Sequence, residues 1–277
     1  MITIDIHTHA FPNDLANRAL KGIIKLASFN RDVDKSNLKS HGNGKVKGLL
    51  QSMDKADIDM SALYSIATKP GQVANILKFI EANTSDRLVP IGSIHPDDQT
   101  PQNWLNAMKF AEIPAVKFHP MFQNFVIDDP KMDPIYKACC DLQLGVIFHT
   151  GKDLCFPNDP IPDRASPARI ANLIRKFPDL KILAAHMGGF QMWDDVQTHL
   201  LGKNVFLETS FALDSMGEEL FVKFITEHDS DKICFGTDWP WLDQASYKSR
   251  IANLISNEKL RDKIMFSNAS RFLKLSN

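Results

Sequence analysis

Ala115-Val116-Lys117-Phe118-His119-Pro120 and Gly145-Val146-Ile147-Phe148-His149-Thr150-Gly151 decide the fold. Each is a short apolar run ending in a histidine motif, and residues 130–142 between them have helical spacing. Strand, helix, strand at that length describes two parallel strands joined by a crossover. The rhythm extends in both directions. Upstream lie a strand at 88–96 that includes His95 and a helix at 101–111 with Pro101 in its first turn. Downstream come a helix at 166–177, then a strand at 181–185 running into His186-Met187-Gly188-Gly189. A strand at 204–209 carries Glu208, a helix spans 213–228, and a strand at 232–238 ends in Asp238. Two or three helices fill 246–275. Nearer the start, a strand at 58–66 lies between helices at 46–57 and 71–83. Before these come a first strand at 2–9, a helix at 13–28 and a polar loop at 30–47, a length that fits a lid or substrate wall. Eight strands alternating with helices make a single-domain (β/α)8 TIM barrel over 1–277. The competing open doubly wound sheet lacks a glycine-rich phosphate fingerprint after any early strand.

Composition narrows the function. The net charge of −1 gives no long-range pull toward nucleic acid or an anionic membrane. No apolar run approaches the roughly 20 residues that cross a bilayer. The four cysteines, Cys139, Cys140, Cys155 and Cys234, have no disulfide-framework spacing, so they read as reduced thiols of a cytoplasmic protein.

Active sites of such barrels sit where the strands end. Of nine histidines, six fall at or just inside those ends: His7, His9, His95, His119, His149 and His186. Strand ends are roughly a tenth of such a chain, so chance would place about one there. The first strand, Ile2-Thr3-Ile4-Asp5-Ile6-His7-Thr8-His9, alternates. Parity puts Ile2, Ile4 and Ile6 on one face and Thr3, Asp5, His7 and His9 on the other. On the fourth strand Lys117 and His119 share a face, and on the eighth Asp238 shares one with Cys234 and Gly236. Neutral imidazoles and an aspartate aimed at one axial point suit a divalent ion such as Zn²⁺. The bland alternative is a set of solvated strand ends.

Ile-Asp-Ile-His7-Thr-His9, Val-Lys117-Phe-His119-Pro, Phe-His149-Thr-Gly, Ala-His186-Met-Gly-Gly and Phe-Gly-Thr-Asp238-Trp-Pro together resemble the amidohydrolase superfamily. The set is most similar to the amidohydrolase-related branch that includes aminocarboxymuconate semialdehyde decarboxylase and resorcylate-type decarboxylases. Ser267-Asn268-Ala269-Ser270-Arg271-Phe272-Leu273 is similar to that branch's closing Gly-Asn-Ala-x-Arg-Leu motif, with Ser for Gly. The resemblance implies that His7, His9, His149 and Asp238 hold one metal, zinc or another divalent ion such as manganese. It also implies that Asp238 accepts a proton from the water the metal activates, with His186 as an acid/base beside it. Lys117 is either a cation for a substrate carboxylate or a carboxylated bridge to a second ion. His119 and His95 are candidates for a substrate wall or that second ion. Glu208 is a possible outer partner of a ligand, and its facing is open. Asp5 shares the parity of the histidines and could order an imidazole. Gly188 and Gly189 would let backbone approach substrate, and Trp239, Trp241, Phe122, Phe125 and Phe156 could line a pocket. Asn268 is expected to cap the last helix.

The expected activity is metal-dependent hydrolysis of a small carbonyl compound, a lactone, amide or ester. Non-oxidative decarboxylation of a small carboxylic acid is the alternative, and a non-catalytic metal-binding barrel is a third reading. The partner is a small molecule and neither nucleic acid nor membrane; a homodimer is the expectation the family carries.

Overall fold

The computed structural model describes residues 2–31 and 38–275. Its strands are β1 (Ile4–His9), β2 (Met60–Tyr64), β3 (Leu88–Ile91), β4 (Ala115–Phe118), β5 (Gly145–Phe148), β6 (Ile182–Ala184), β7 (Phe206–Glu208) and β8 (Ile233–Cys234). The first six helices are α1 (Ala16–Ala27), α2 (Val46–Ala56), α3 (Val73–Glu81), α4 (Pro101–Phe110), α5 (Asp133–Asp141) and α6 (Pro167–Lys176). Then come α7 (Trp193–His199), α8 (Ala212–Met216), α9 (Glu218–Glu227), α10 (Gln244–Leu254), α11 (Glu258–Asp262) and α12 (Asn268–Leu273).

All ladders are parallel, in two sheets ordered β1-β2-β3 and β4-β5-β6-β7-β8. Single bridges span both seams. Between β3 and β4, the Gly92 N–H donates to Ala115 O at 3.0 Å and the Lys117 N–H to Gly92 O at 2.8 Å. Between β8 and β1, the Ile6 N–H donates to Phe235 O at 2.9 Å and the His9 N–H to Trp239 O at 2.7 Å. The chain is thus a (β/α)8 barrel, as the strand rhythm predicts. Alternation sorts its apolar residues. Val116, Phe118, Val146 and Phe148 join the large core beneath the helices, while Ala115, Ile147, Leu183, Phe206 and Cys234 fill the barrel.

On β1 the parity reading is corrected. Ile4 and Ile6 lie in the inner core, yet His7 and His9 also reach the barrel mouth. The β1–β2 register supplies the reason: Asp5 pairs Ser61 but Thr8 pairs Leu63, so β1 carries one extra residue. A one-residue bulge inverts the facing beyond it. Asp5 consequently lies on the outer face rather than beneath the histidines. Its carboxylate accepts from Thr237 Oγ1 at 2.5 Å, Gln244 Nε2 at 2.7 Å and the N–H groups of Thr237 and His7. It tacks β1 to the chain after β8 and to α10. Burial still pushes this carboxyl up to about 7.

Three smaller differences follow. The helix expected at 213–228 is broken into α8 and α9 at Gly217, whose φ of +79° suits glycine. Helix α7 was not anticipated; its signal is Asp194 and Asp195 in the first turn, where acidic side chains favour a helix start. Asn268 does not cap α12 but donates its amide to Ser230 O and Ile233 O, fastening that helix to β8. The middle of the loop expected at 30–47, residues 32–37, lies outside the described residues. Among the described residues no helix is long and apolar enough to cross a membrane, and all four cysteines are free thiols.

Candidate metal centre

At the mouth of the barrel three ligand atoms form a near-equilateral triangle. His7 Nε2 and His9 Nε2 are 3.2 Å apart, and Asp238 Oδ1 lies 3.3 Å from the first and 3.2 Å from the second. Despite this closeness Asp238 Oδ1 is buried without a hydrogen bond. Backbone geometry places it there: Asp238 has φ +58°, and its N–H donates to His7 O at 2.7 Å. His186 and Met187, after β6, are likewise at φ +55° and +49°. Left-handed non-glycine residues store strain, and His186, Phe211 and Asp238 of the cavity lining are among the residues that adopt it here.

The partners of the other ring nitrogens assign tautomers. His7 Nδ1–H donates to Glu208 Oε1 at 3.0 Å, which leaves Nε2 bare. His149 Nε2–H donates to Lys152 O at 3.1 Å, which leaves Nδ1 bare. His186 Nδ1–H is held by Ser210 Oγ at 2.8 Å and Ser210 O at 3.2 Å, which leaves Nε2 bare. The bare His186 Nε2 and His149 Nδ1 then face each other at 3.1 Å with no proton between them. Burial keeps His7 and His149 well below the ordinary imidazole pKa, so both stay neutral at pH 7. Burial opposes ionisation of Asp238, but any positive charge on the rings of His7, His9 and His186 outweighs it, and the carboxyl lies below the usual range. Opposed lone pairs and an unbonded carboxylate oxygen are what a divalent cation satisfies.

Glu208 is the residue whose role the sequence left open. It lies inside the barrel, fully buried, and its carboxylate gathers four donors. These are His7 Nδ1–H, the His186 N–H at 2.7 Å, the Ser210 N–H at 2.7 Å and Ser210 Oγ–H at 2.7 Å. One carboxylate thus orients His7 directly and His186 through Ser210, a residue that sequence reading missed. Gly236 makes room for it: a Cβ there would stand 2.3 Å from Glu208 Oε2.

Lys117 points into the same space from β4 and is 1% exposed. Its Nζ has no hydrogen-bond partner among the described residues and stands 5.2 Å from the Tyr64 ring centroid. Burial brings its pKa down to about 8. His119 stacks on His149 with centroids 4.3 Å apart and holds Asp153 Oδ2 at 3.1 Å. His119, His149 and Asp153 could group around an ion too, but the Nε2–H of His149 is already given to Lys152 O.

The structure therefore brings His7, His9, His149, His186, Lys117, His119 and Asp238 to one cavity, with His7, His9 and Asp238 as the tightest group. His95 does not join them. It sits in the turn after β3, where its Nδ1 accepts from the Asp97 N–H at 3.1 Å. Gly188 and Gly189 also serve packing rather than substrate, since a Cβ on either would strike Leu200 and Leu207 or Pro167 and Val196. Of the expected aromatic lining, Phe122 and Trp241 reach the cavity, while Trp239, Phe125 and Phe156 belong to the core. Phe11, Phe190 and Phe211 line it instead.

A barrel with an H-x-H strand, two further histidines and an aspartate at its mouth offers the ligand types a divalent ion takes. The sequence model of the Amidohydrolase family matches residues 4–275, and the chain belongs to that family. Solved structures share the whole fold at low identity. A TIM-barrel protein of Bordetella bronchiseptica is 19% identical, with TM-score 0.75 and 99% of each chain covered. A manganese-bound 5-carboxyvanillate decarboxylase from Novosphingobium aromaticivorans is 15% identical, with TM-score 0.71 over 99% of this chain and 97% of that one. A probable 2-pyrone-4,6-dicarboxylic acid hydrolase from Acinetobacter baumannii is 14% identical, with TM-score 0.65 over 99% and 100%. No curated protein matches the sequence.

Proposed function

We propose that the protein is a metal-dependent hydrolase that adds water to the carbonyl carbon of a carboxylated lactone, amide or ester. The observation that carries this reading is Asp238, a buried carboxylate held in its ionised form, with a bare oxygen among imidazole lone pairs. Such a group is a proton acceptor. His7, His9, His149 and Asp238 would hold the ion, zinc or manganese, and the lone-pair arrangement fits it. A divalent ion there supplies Lewis acidity, polarising a carbonyl and acidifying water. Asp238 takes the proton of the attacking water. His186 offers a bare Nε2 for the next proton transfer, its ring fixed through Ser210 and Glu208. Lys117, cationic and without a partner, binds the substrate carboxylate.

Decarboxylation is the second reading, and Lys117 favours it. An ammonium brought down to about 8 can deliver the proton that replaces CO₂ on carbon. Two of the solved barrels carry names from either chemistry, one a decarboxylase and one a hydrolase. The metal-loaded protein, offered carboxylated lactones and hydroxybenzoates in H₂¹⁸O, separates the two. Hydrolysis places ¹⁸O in the product without gas release; CO₂ evolution without ¹⁸O contradicts the hydrolase reading.

A further inference from the structure

The cavity exceeds what a single substituted ring at the ligand cluster needs. With its open mouth it spans about 1370 Å³, above the roughly 300–1,000 Å³ of pockets for drug-sized ligands. Its long wall is the start of the chain after β1. Leu15, Ala19, Ile23 and Leu26 share one helical face and line the cavity. Leu15 and Leu26 remain 38% exposed. The adjoining face of α1, Ala16, Leu20 and Ala27, is packed against the protein. A helix that only covers a core needs one apolar stripe; α1 has two, and the second lines the cavity. Where a Cβ on Gly22 would stand there is no atom of the described residues within 4 Å. Ile76 and Phe79 of α3, with Trp241 and Phe122, line the same cavity.

We propose that the substrate is an amphiphilic organic anion. Its carboxylated head meets Lys117 at the ligand cluster, and an extended hydrocarbon body, an alkyl chain or a second ring system, lies along α1. The inference rests on the reading of Lys117 as a carboxylate anchor. It goes beyond that reading by assigning the outer cavity to the substrate rather than to solvent or a second copy of the chain. Continuity argues for substrate: the apolar wall and the ligand atoms bound one cavity.

Calorimetric titration of the metal-loaded protein with n-alkyl carboxylates from butanoate to decanoate tests it without needing turnover. Affinity should rise about three- to fourfold per added methylene until the wall is covered. Ile23→Asp, and independently the more exposed Leu26→Asp, should remove that gain while leaving butanoate affinity within about twofold. Lys117→Met should weaken every member alike. Affinity indifferent to chain length, or a gain that survives both aspartates, overturns the proposal. So does a wild-type dimer that Leu26→Asp dissociates, because a second copy then covers the wall. Length-dependent binding without metal-dependent turnover overturns the reaction and leaves this inference standing. Turnover without length dependence does the reverse.

Discussion

Each histidine of the cavity with an assigned tautomer commits one ring nitrogen to a protein acceptor and turns the other, unprotonated, toward its neighbours. Glu208, Lys152 O and Ser210 perform that assignment for His7, His149 and His186. Outer partners of this kind are worth about 10–100-fold in metal affinity. Glu208→Gln should therefore lower affinity by that factor, measured by competition with a chromophoric chelator, while circular dichroism shows the fold retained. His228 illustrates the opposite case, a histidine kept neutral for structure. Its Nε2–H donates to Val205 O at 2.9 Å and its Nδ1 accepts from the Gly202 N–H at 3.2 Å. Burial lowers its pKa below 6.5, so folding favours the neutral ring. The stability it contributes is complete above the unfolded value of about 6.5 and is lost as pH falls through the folded value. Its share of the slope is at most about 1.4 kcal/mol per pH unit. Denaturation at stepped pH should show His228→Gln losing less stability than wild type between about pH 6.5 and 5; equal losses would remove His228 as the cause.

β1 is the element on which the site depends most and the one the sequence described least well. Its pattern of Ile4, Ile6, His7 and His9 was legible as a strand and as a ligand pair. The bulge that lets isoleucines and histidines share the interior was not, because strict alternation admits no extra residue. Asp5 shows the consequence, since the same slip carries it outward to Thr237 and Gln244. Asp5→Ala would strand several buried donors at the seam between β1 and β8. It should cost about 3 kcal/mol or more in chemical denaturation. A loss under about 1 kcal/mol would mean that the seam does not depend on it. Elsewhere the elements were legible wherever long stretches kept one period, as in α4, α6 and the strands β4 and β5. Short elements were not: α7 has seven residues and α8 five, too few turns for periodicity to register.

At the scale of the whole molecule, the barrel was readable because eight units repeat one rhythm and each strand end falls where a polar residue interrupts an apolar run. The convergence of the candidate residues was readable for the same reason: His7, His9, His149, His186, Lys117 and Asp238 all line one cavity. Glu208 and Ser210 were less so, since a buried hydrogen-bond network leaves no periodic trace. His95, at a strand end by sequence, does not reach the cavity because β3 stops at Ile91 and the chain turns at 95–98, where the Asp98 N–H donates to His95 O. The apolar wall of α1 was also hidden, since periodicity marks a helix as two-sided without saying what lies opposite each side. The fold places the wall, the cation and the ligand atoms around a single opening, and the central claim is that a divalent ion sits at its base. Anomalous diffraction from crystals of the manganese- or zinc-loaded protein measures this directly. The account predicts a peak within bonding reach of His7 Nε2, His9 Nε2 and Asp238 Oδ1, lost in Asp238→Ala. No peak in that triangle, or one confined to His119 and Asp153, would contradict it.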